Sequence, residues 1–434
     1  MMTQQTMKLI FLEEWLGFSA LTDLHGEELT AEIQRMELMA NQLCKNSTLE
    51  MLSSKHVPSK EIRELIIRIL HSIRISIIWN GYVNDFNYPH GEKIYQNLGY
   101  ILFRIQFSQD NTHDINKTDI RPEHLQQIVF VLAKGMQETL GNRFLFDTKT
   151  VPYAVSVCSG LEGSPEIEWY NETIAKHKHE IGKWVELYSG QFPDYHDELY
   201  ERRIQTNLSN RTSEMHFINR NSGLIYMKPE NYDAYFITEE RTKNSTGYMY
   251  DVLLKTIFQI RTIAFAMILV TGEIDKDTLQ LTTKSFIEKD STVIKEDLDR
   301  TKRLKMILQK TLAPFQTDLS RSHRQHYHAI LKHSVKINDI EQIWERITAK
   351  LESNTEALNS IFLDKQEEAN KRQENKLNQV NLLLGASIVF EILRYIIDDQ
   401  TTLSLLMKIG GWSILALLLI LLGKGLPKLF KKKK

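Results

Sequence analysis

The chain carries only two cysteines in 434 residues, Cys44 and Cys158, too few for the disulfide framework of a small secreted domain. It has no excess of one charge: 54 lysines and arginines stand against 55 aspartates and glutamates. That balance argues against nucleic acid as the main partner, which calls for a basic surface. No signal peptide is read at the start, because the apolar patch of Met1–Phe11 is short and runs into Glu13 and Glu14. The Asn-x-Ser/Thr triplets at Asn46, Asn116, Asn171, Asn207, Asn210 and Asn244 are therefore read as chance matches in a bulk expected to stay in the cytoplasm. Catalytic motifs are lacking too. Neither cysteine has a helpful neighbouring pattern, no Ser/His/Asp arrangement stands out, and "SGLEGSPE" (Ser159–Glu166) has two glycines but not the lysine of a phosphate loop. The expectation is a protein that is not an enzyme, with no catalytic residue and no metal site assigned.

What is present falls into an α+β arrangement. Residues 1–246 read as a cytoplasmic α/β domain. "KLIFL" (Lys8–Leu12) and "YDAYFI" (Tyr232–Ile237) suit strands, and "YAVSVCSG" (Tyr153–Gly160) alternates and ends in glycine. "MHFINRNSGLIYM" (Met215–Met227) reads as a hairpin. "SKEIRELIIRILHSIRISIIW" (Ser59–Trp79) opens with a serine cap and Glu61 in the first turn, and predicts a helix along its length. Residues 247–376 are expected to be helical. Tyr248–Val270 is strongly apolar, but Asp251, Lys255, Gln259 and Arg261 interrupt it, so it predicts a buried amphipathic helix, not a membrane span. A charged helix is expected over Thr292–Thr311, ending before Pro314. After Ile337 neither proline nor glycine occurs until Gly385. Ile340, Ile343, Ile347, Leu351, Leu358 and Phe362 recur at helical intervals, which predicts a stalk from Ile337 to Val380 of ~66 Å, with packing partners along its length.

The remaining residues, 377–422, suit two transmembrane helices, 377–397 and 403–422, joined by "DDQTT" (Asp398–Thr402) into a tight hairpin. Residues 423–434 form a basic tail: six lysines and no acid fall in the last eleven residues, which leaves the body mildly acidic. Both flanks of the hairpin are basic and its turn is acidic, so both termini are expected in the cytoplasm. Within the first span, Glu391 and Arg394 admit two readings. They can pair locally near the headgroups, with Asp398 also in reach of Arg394. Alternatively Asn381, Leu384, Gly385, Ile388, Glu391 and Tyr395, which share one helical face, line a pore around a symmetry axis. Asp398 and Asp399 at the turn are then the groups that attract cations.

Other candidates are weaker. The histidine-rich "RSHRQHYH" (Arg321–His328) with His333 suits a solvated basic face, while metal or phosphate binding stays open. Arg202, Arg203, Arg211 and Arg220 flank or enter the expected hairpin. They are the candidates for an anionic ligand, since arginine grips phosphate in a bidentate manner.

The stalk, the two C-terminal spans with a short outer loop and the lysine-rich end together resemble the CorA family of divalent-cation channels. That resemblance implies a homopentamer in the bacterial inner membrane whose first span lines the pore. The family's Gly-Met-Asn triplet is absent: "LRYIIDDQTT" (Leu393–Thr402) stands in its place, and no such triplet occurs anywhere in the chain. In lacking the triplet and in its large soluble part, the chain is similar to the CorA-like effectors of type III CRISPR antiviral defence. The resemblance implies gating by an adenine nucleotide messenger such as SAM-AMP, opening or disrupting the membrane. A magnesium transporter with an atypical filter, taking Mg2+, is the alternative, and a non-conducting membrane anchor is a third reading.

Overall fold

A computed structural model describes residues 10–52, 59–90, 93–107, 143–146, 153–159, 197–211, 214–220, 222–227, 250–281, 291–321 and 325–398. Isolated helical positions at 178, 181, 182, 185, 412, 413 and 416 are described as well. The expected strand at Tyr232–Ile237 lies outside these residues. The chain is a mixed α+β structure that divides into two units: Met1–Thr278 with Thr301–Glu352, and Leu279–Arg300 with Ser353–Lys434.

The first unit is built on a seven-stranded sheet in the order β2-β5-β1-β7-β9-β8, with β6 also paired to β1. The strands are β1 (Ile10–Thr22), β2 (Arg74–Val83), β5 (Asn97–Gln106), β6 (Phe144–Phe146), β7 (Tyr153–Ser159), β8 (Glu214–Ile218) and β9 (Ser222–Met227). Two short strands, β3 (Tyr88–His90) and β4 (Lys93–Tyr95), pair separately. All pairings are antiparallel except β7 with β9. β5, β8 and β9 are buried almost without alternation, because both faces of the sheet are covered.

On one face lie α1 (Gly26–Lys45) and α2 (Lys60–Ser72). They bury Met36, Ala40 and Cys44, and Leu65, Ile66, Ile69 and Leu70, against Leu16, Phe18, Ile77, Phe103 and Phe217. The Ser59 hydroxyl accepts from the Ile62 amide at 3.4 Å, so the expected cap is in place. The helix is shorter than expected, however. It ends at Ser72, and residues 74–79 belong to β2, where Ile75, Ile77 and Trp79 pair with Ile105, Phe103 and Ile101. A β-branched stretch that is ambiguous by itself takes the state that a neighbouring strand completes. α1 also closes the outer edge of β2. Asn41 exchanges hydrogen bonds with the Ile75 amide and carbonyl, at 3.0 and 2.8 Å, and Glu37 accepts from the Ile77 amide at 2.9 Å. Side-chain groups thus satisfy backbone that an edge strand leaves open.

On the other face, a π turn (Tyr250–Leu254) leads into α3 (Lys255–Leu281). Phe258 seats this helix: its ring lies 5.6 Å from Tyr100 and 5.8 Å from Tyr153. It occupies the space that a Cβ on Gly17 would need, 1.9 Å from the ring. Among the described residues α3 is the one helix long and apolar enough to cross a membrane, and 61% of its most apolar stretch is buried. Its polar residues interrupt what is a core helix.

α4 (Ser291–Arg321), α5 (Gln325–Ile337) and α6 (Ile340–Asp398) follow. A short helix, Asp197–Ile204, precedes β8. α4 does not stop before Pro314 but continues to Arg321. The proline removes the amide that would reach the Lys310 carbonyl, and the neighbouring Thr311 carbonyl accepts the Tyr82 hydroxyl at 2.8 Å. The long helix begins at Ile340, not Ile337. Asn338 and Asp339 break the chain into two helices, with Asp339 at φ 53°. α6 then runs 59 residues without interruption, a length of ~88 Å at 1.5 Å per residue.

The apolar stripe of α6 finds its partners inside the chain. In the first unit Ile340, Ile347 and Leu351 join a cluster with Ile260, Leu308 and Leu331. In the second, Leu358 packs with Ile294, beside Leu298, Ile361 and Phe362. The stripe thus has packing partners, as expected, and these lie within the chain.

Candidate functional site

The expected site residues do not gather in one place. Arg202 is exposed on the short helix Asp197–Ile204, which also contains Arg203. Arg211 is exposed in the loop before β8, while Arg220 occupies the turn after it. Five residues of strand separate those two, ~17 Å, so they do not share one phosphate. On α6, Asn381, Leu384, Ile388 and Glu391 are exposed, Leu384 and Ile388 at 57% each. Gly385 is half-buried with Leu382 and Ala386, beside the buried Val389. A Cβ built on Gly385 would meet nothing within 4 Å. Tyr395 and Asp398 fall within α6, but their side chains lie outside the described residues, as do Asp399 and residues 403–422 apart from Trp412, Ser413 and Ala416.

His326 does not lie on a solvated face. His326 on α5 is buried with its ring 6.0 Å from that of His216 on β8, and Glu214 lies 3.2 Å from His216 Nε2. Desolvation lowers the His326 pKa, and the His216 charge adds to this, while a bond to the Leu208 backbone and the Glu214 charge oppose it. His333 meets the Ile218 carbonyl at 2.7 Å. His323 lies outside the described residues, and among the described ones no three His, Cys, Asp or Glu side chains are placed to hold a metal ion. Burial pushes the Cys44 thiol up to about 12, and Cys158 is raised by burial and by Glu14. Both sulfurs stay protonated at neutral pH.

A polar arrangement lies where the β8–β9 turn meets the α5–α6 turn, wholly within the first unit. Arg220 Nη1 is 3.4 Å from Asp339 Oδ2. Arg261, on α3, is partly buried. It donates to the Arg220 carbonyl at 2.6 Å and to Asn338 Oδ1 at 3.4 Å, with its guanidinium 5.0 Å from the centre of the Tyr153 ring. Tyr153 in turn donates to the Asn219 carbonyl at 3.0 Å, and Asn338 donates to the Ser334 carbonyl at 2.8 Å. Desolvation pulls the Arg261 pKa below its ordinary value. Tyr153 opposes the shift and Arg220 adds to it. Burial raises the Tyr153 phenol, with Arg261 opposing. Arg220 pairs with the Asp339 carboxylate, while Arg261 is held by backbone, an amide and a ring. Of the expected anion-binding arginines only Arg220 belongs to this group. Arg261, Asp339, Asn338 and Tyr153 were not singled out as site residues, although a lone arginine in the apolar run "FQIRTIAF" (Phe258–Phe265) was a visible signal.

No family model matches the sequence, and no curated protein matches it significantly.

Proposed function

We propose that the chain is a CorA-like homo-oligomeric membrane channel acting as an antiviral effector, gated by an adenine nucleotide messenger such as SAM-AMP. The observation that carries this reading is the end of α6. Glu367, Glu368, Lys371, Arg372, Glu374 and Lys376 are exposed, and Glu367 pairs with Lys371. A helix polar all round is suited to crossing water. Directly after it Leu377, Val380, Leu383, Leu384 and Ile388 are all exposed, between 50% and 68%. So much contiguous apolar side chain in water is unfavourable, and lipid or further copies of the helix would cover it. With residues 403–422 it would form the two-helix hairpin. Several copies around an axis would place Asn381, Leu384, Gly385, Ile388, Glu391 and Tyr395 along a pore, with Asp398 and Asp399 at its mouth. Five copies, an inner-membrane location and cytoplasmic termini follow from the CorA resemblance and the charge flanks.

A magnesium transporter is the less favoured reading, because the Gly-Met-Asn triplet that holds hydrated magnesium in that family is missing. The deciding experiment reconstitutes the full chain in liposomes and records ion flux with and without SAM-AMP, after native mass spectrometry in detergent. Messenger-dependent flux through a discrete oligomer is expected. A monomer, or flux that follows magnesium and ignores the nucleotide, overturns the proposal.

A further inference from the structure

β8 ends the strand order of the sheet, and a short strap, residues 207–209, closes its outer edge. The Leu208 amide donates to the His216 carbonyl at 3.0 Å. Asn207 Oδ1 accepts from the His216 amide at 2.8 Å, and Asn207 Nδ2 donates to the Glu214 carbonyl at 3.3 Å. α5 is tied to both layers by imidazoles. His326 bonds the Leu208 backbone, and its ring lies 6.0 Å from that of His216, tilted by 35°. Further along α5, His333 meets the Ile218 carbonyl at 2.7 Å.

The His326 end of this contact is dry. His216, Glu214 and His326 are only 1, 2 and 8% exposed. Glu214 Oε2 lies 3.2 Å from His216 Nε2 and accepts from the Ser209 hydroxyl at 3.4 Å. Among the described residues the charges that act on His326 are those of His216 and Glu214. The π turn also packs against α5, where it adds the buried Tyr250, Leu253 and Leu254 to the cluster of Leu208 and Ile330. Lys332 and Lys336 of α5 are exposed. One carboxylate balances one imidazolium. Whichever ring Glu214 answers, the other has no counter-charge, and an unmatched buried charge is costly.

We infer that the His326–His216–Glu214 cluster is an acid-released latch, in which proton uptake detaches α5 from the strap and from the outer edge of β8. Detachment turns His326 to water, where its imidazolium is hydrated, so acid favours the detached state by the difference in proton affinity between the two. Desolvation holds the His326 pKa in the closed contact below its ordinary value of 6.5. The closed state therefore keeps its full advantage above about pH 6.5 and loses it as the pH falls towards the closed-state pKa. The helix set free is the one that leads into α6. The latch involves the first unit alone and does not depend on the function proposed above.

The test is hydrogen exchange of the full-length chain in detergent, read by mass spectrometry at pH 7.5 and 5.5 and corrected for the intrinsic effect of pH on exchange. A helix of 13 residues is marginal by itself in water, so detachment unprotects its amides. Protection of α5 and of residues 207–209 is expected to fall about tenfold at pH 5.5, the factor for one proton taken up on opening about one pH unit below the free value. β1 and β5 should keep theirs. His326→Gln, whose amide carries a donor but takes up no proton, should give the same protection at both pH values. The wild-type comparison decides by itself if that variant does not fold. Unchanged protection of α5 at pH 5.5, loss of protection across the whole sheet at once, or an acid response that persists in His326→Gln overturns the latch.

Discussion

α6 is one helix with two kinds of environment. Near its start Ile347 and Leu351 are 1% and 2% exposed, packed among α3, α4 and α5. Near its end Leu384 and Ile388, of the same chemistry and also at helical spacing, are 57% exposed. The helical state needs neither environment, since the chain from Ile340 to Asp398 holds good helix formers and no proline. What differs is the use made of the apolar side chains. At the start they hold the first unit together, and at the end the described residues leave them exposed.

The largest effects should come from breaking the buried side of this contrast. Glu13 is fully buried on β1, where Trp15 Nε1 donates to it at 2.9 Å and the Arg104 guanidinium pairs with it. Removing one member of such a pair strands the other, and Glu13→Ala should cost about 3–5 kcal/mol in denaturant unfolding of the purified chain. Leu351→Ala should cost about 2–5 kcal/mol by the same measurement. Leu384→Ala should leave the midpoint unchanged, because it empties no packed site. An equal loss at both leucines would erase the difference between the two regions.

Smaller changes sharpen the contrast. Gly17→Ala drives a methyl into the Phe258 ring and should cost about 1–3 kcal/mol, as overpacking does. Gly385→Ala, where a Cβ meets nothing within 4 Å, should be neutral or slightly stabilising in the same titration. In the liposome assay Leu384→Ser or Ile388→Ser should raise basal ion leak by hydrating a dry constriction. Unchanged tightness would remove both residues from a gate.

The smallest expected effect is a dependence on pH. The folded pKa of His326 lies below its ordinary value of 6.5, so the unfolded chain takes up the proton first. The stability it contributes is complete above about pH 6.5 and is lost as the pH falls through the folded pKa. His326→Gln should flatten the slope of melting temperature against pH between 7 and 5. An unchanged slope would place the acid sensitivity elsewhere.

Several elements were legible because their signals are local. The Ser59 cap, the alternation of Tyr153–Ser159, the turn residues between β8 and β9 and the uninterrupted helical rhythm after Ile340 each need only neighbours in sequence. The apolar character of Tyr248–Val270, broken by four polar residues, was enough to favour a core helix over a span. What sequence reading missed depends on partners far along the chain. Residues 74–79 suit helix or strand until β5 offers ten residues of matching edge. Pro314 looks like a helix end, yet α4 runs through it to Arg321.

The sequence alone determined where helices and strands are possible, the charge asymmetry of the last eleven residues, the missing Gly-Met-Asn triplet and the apolar run that follows a polar helix. These follow from covalent order, and local propensity and hydrophobic period read them directly. Only the tertiary structure decided that Glu13 is buried, that His326 faces His216 instead of water, and that Arg261 shares the Asp339 turn with Arg220. Each of these depends on which distant segment excludes water from a side chain. The cost of burying a charge depends on that surrounding and not on the residue's position in the chain.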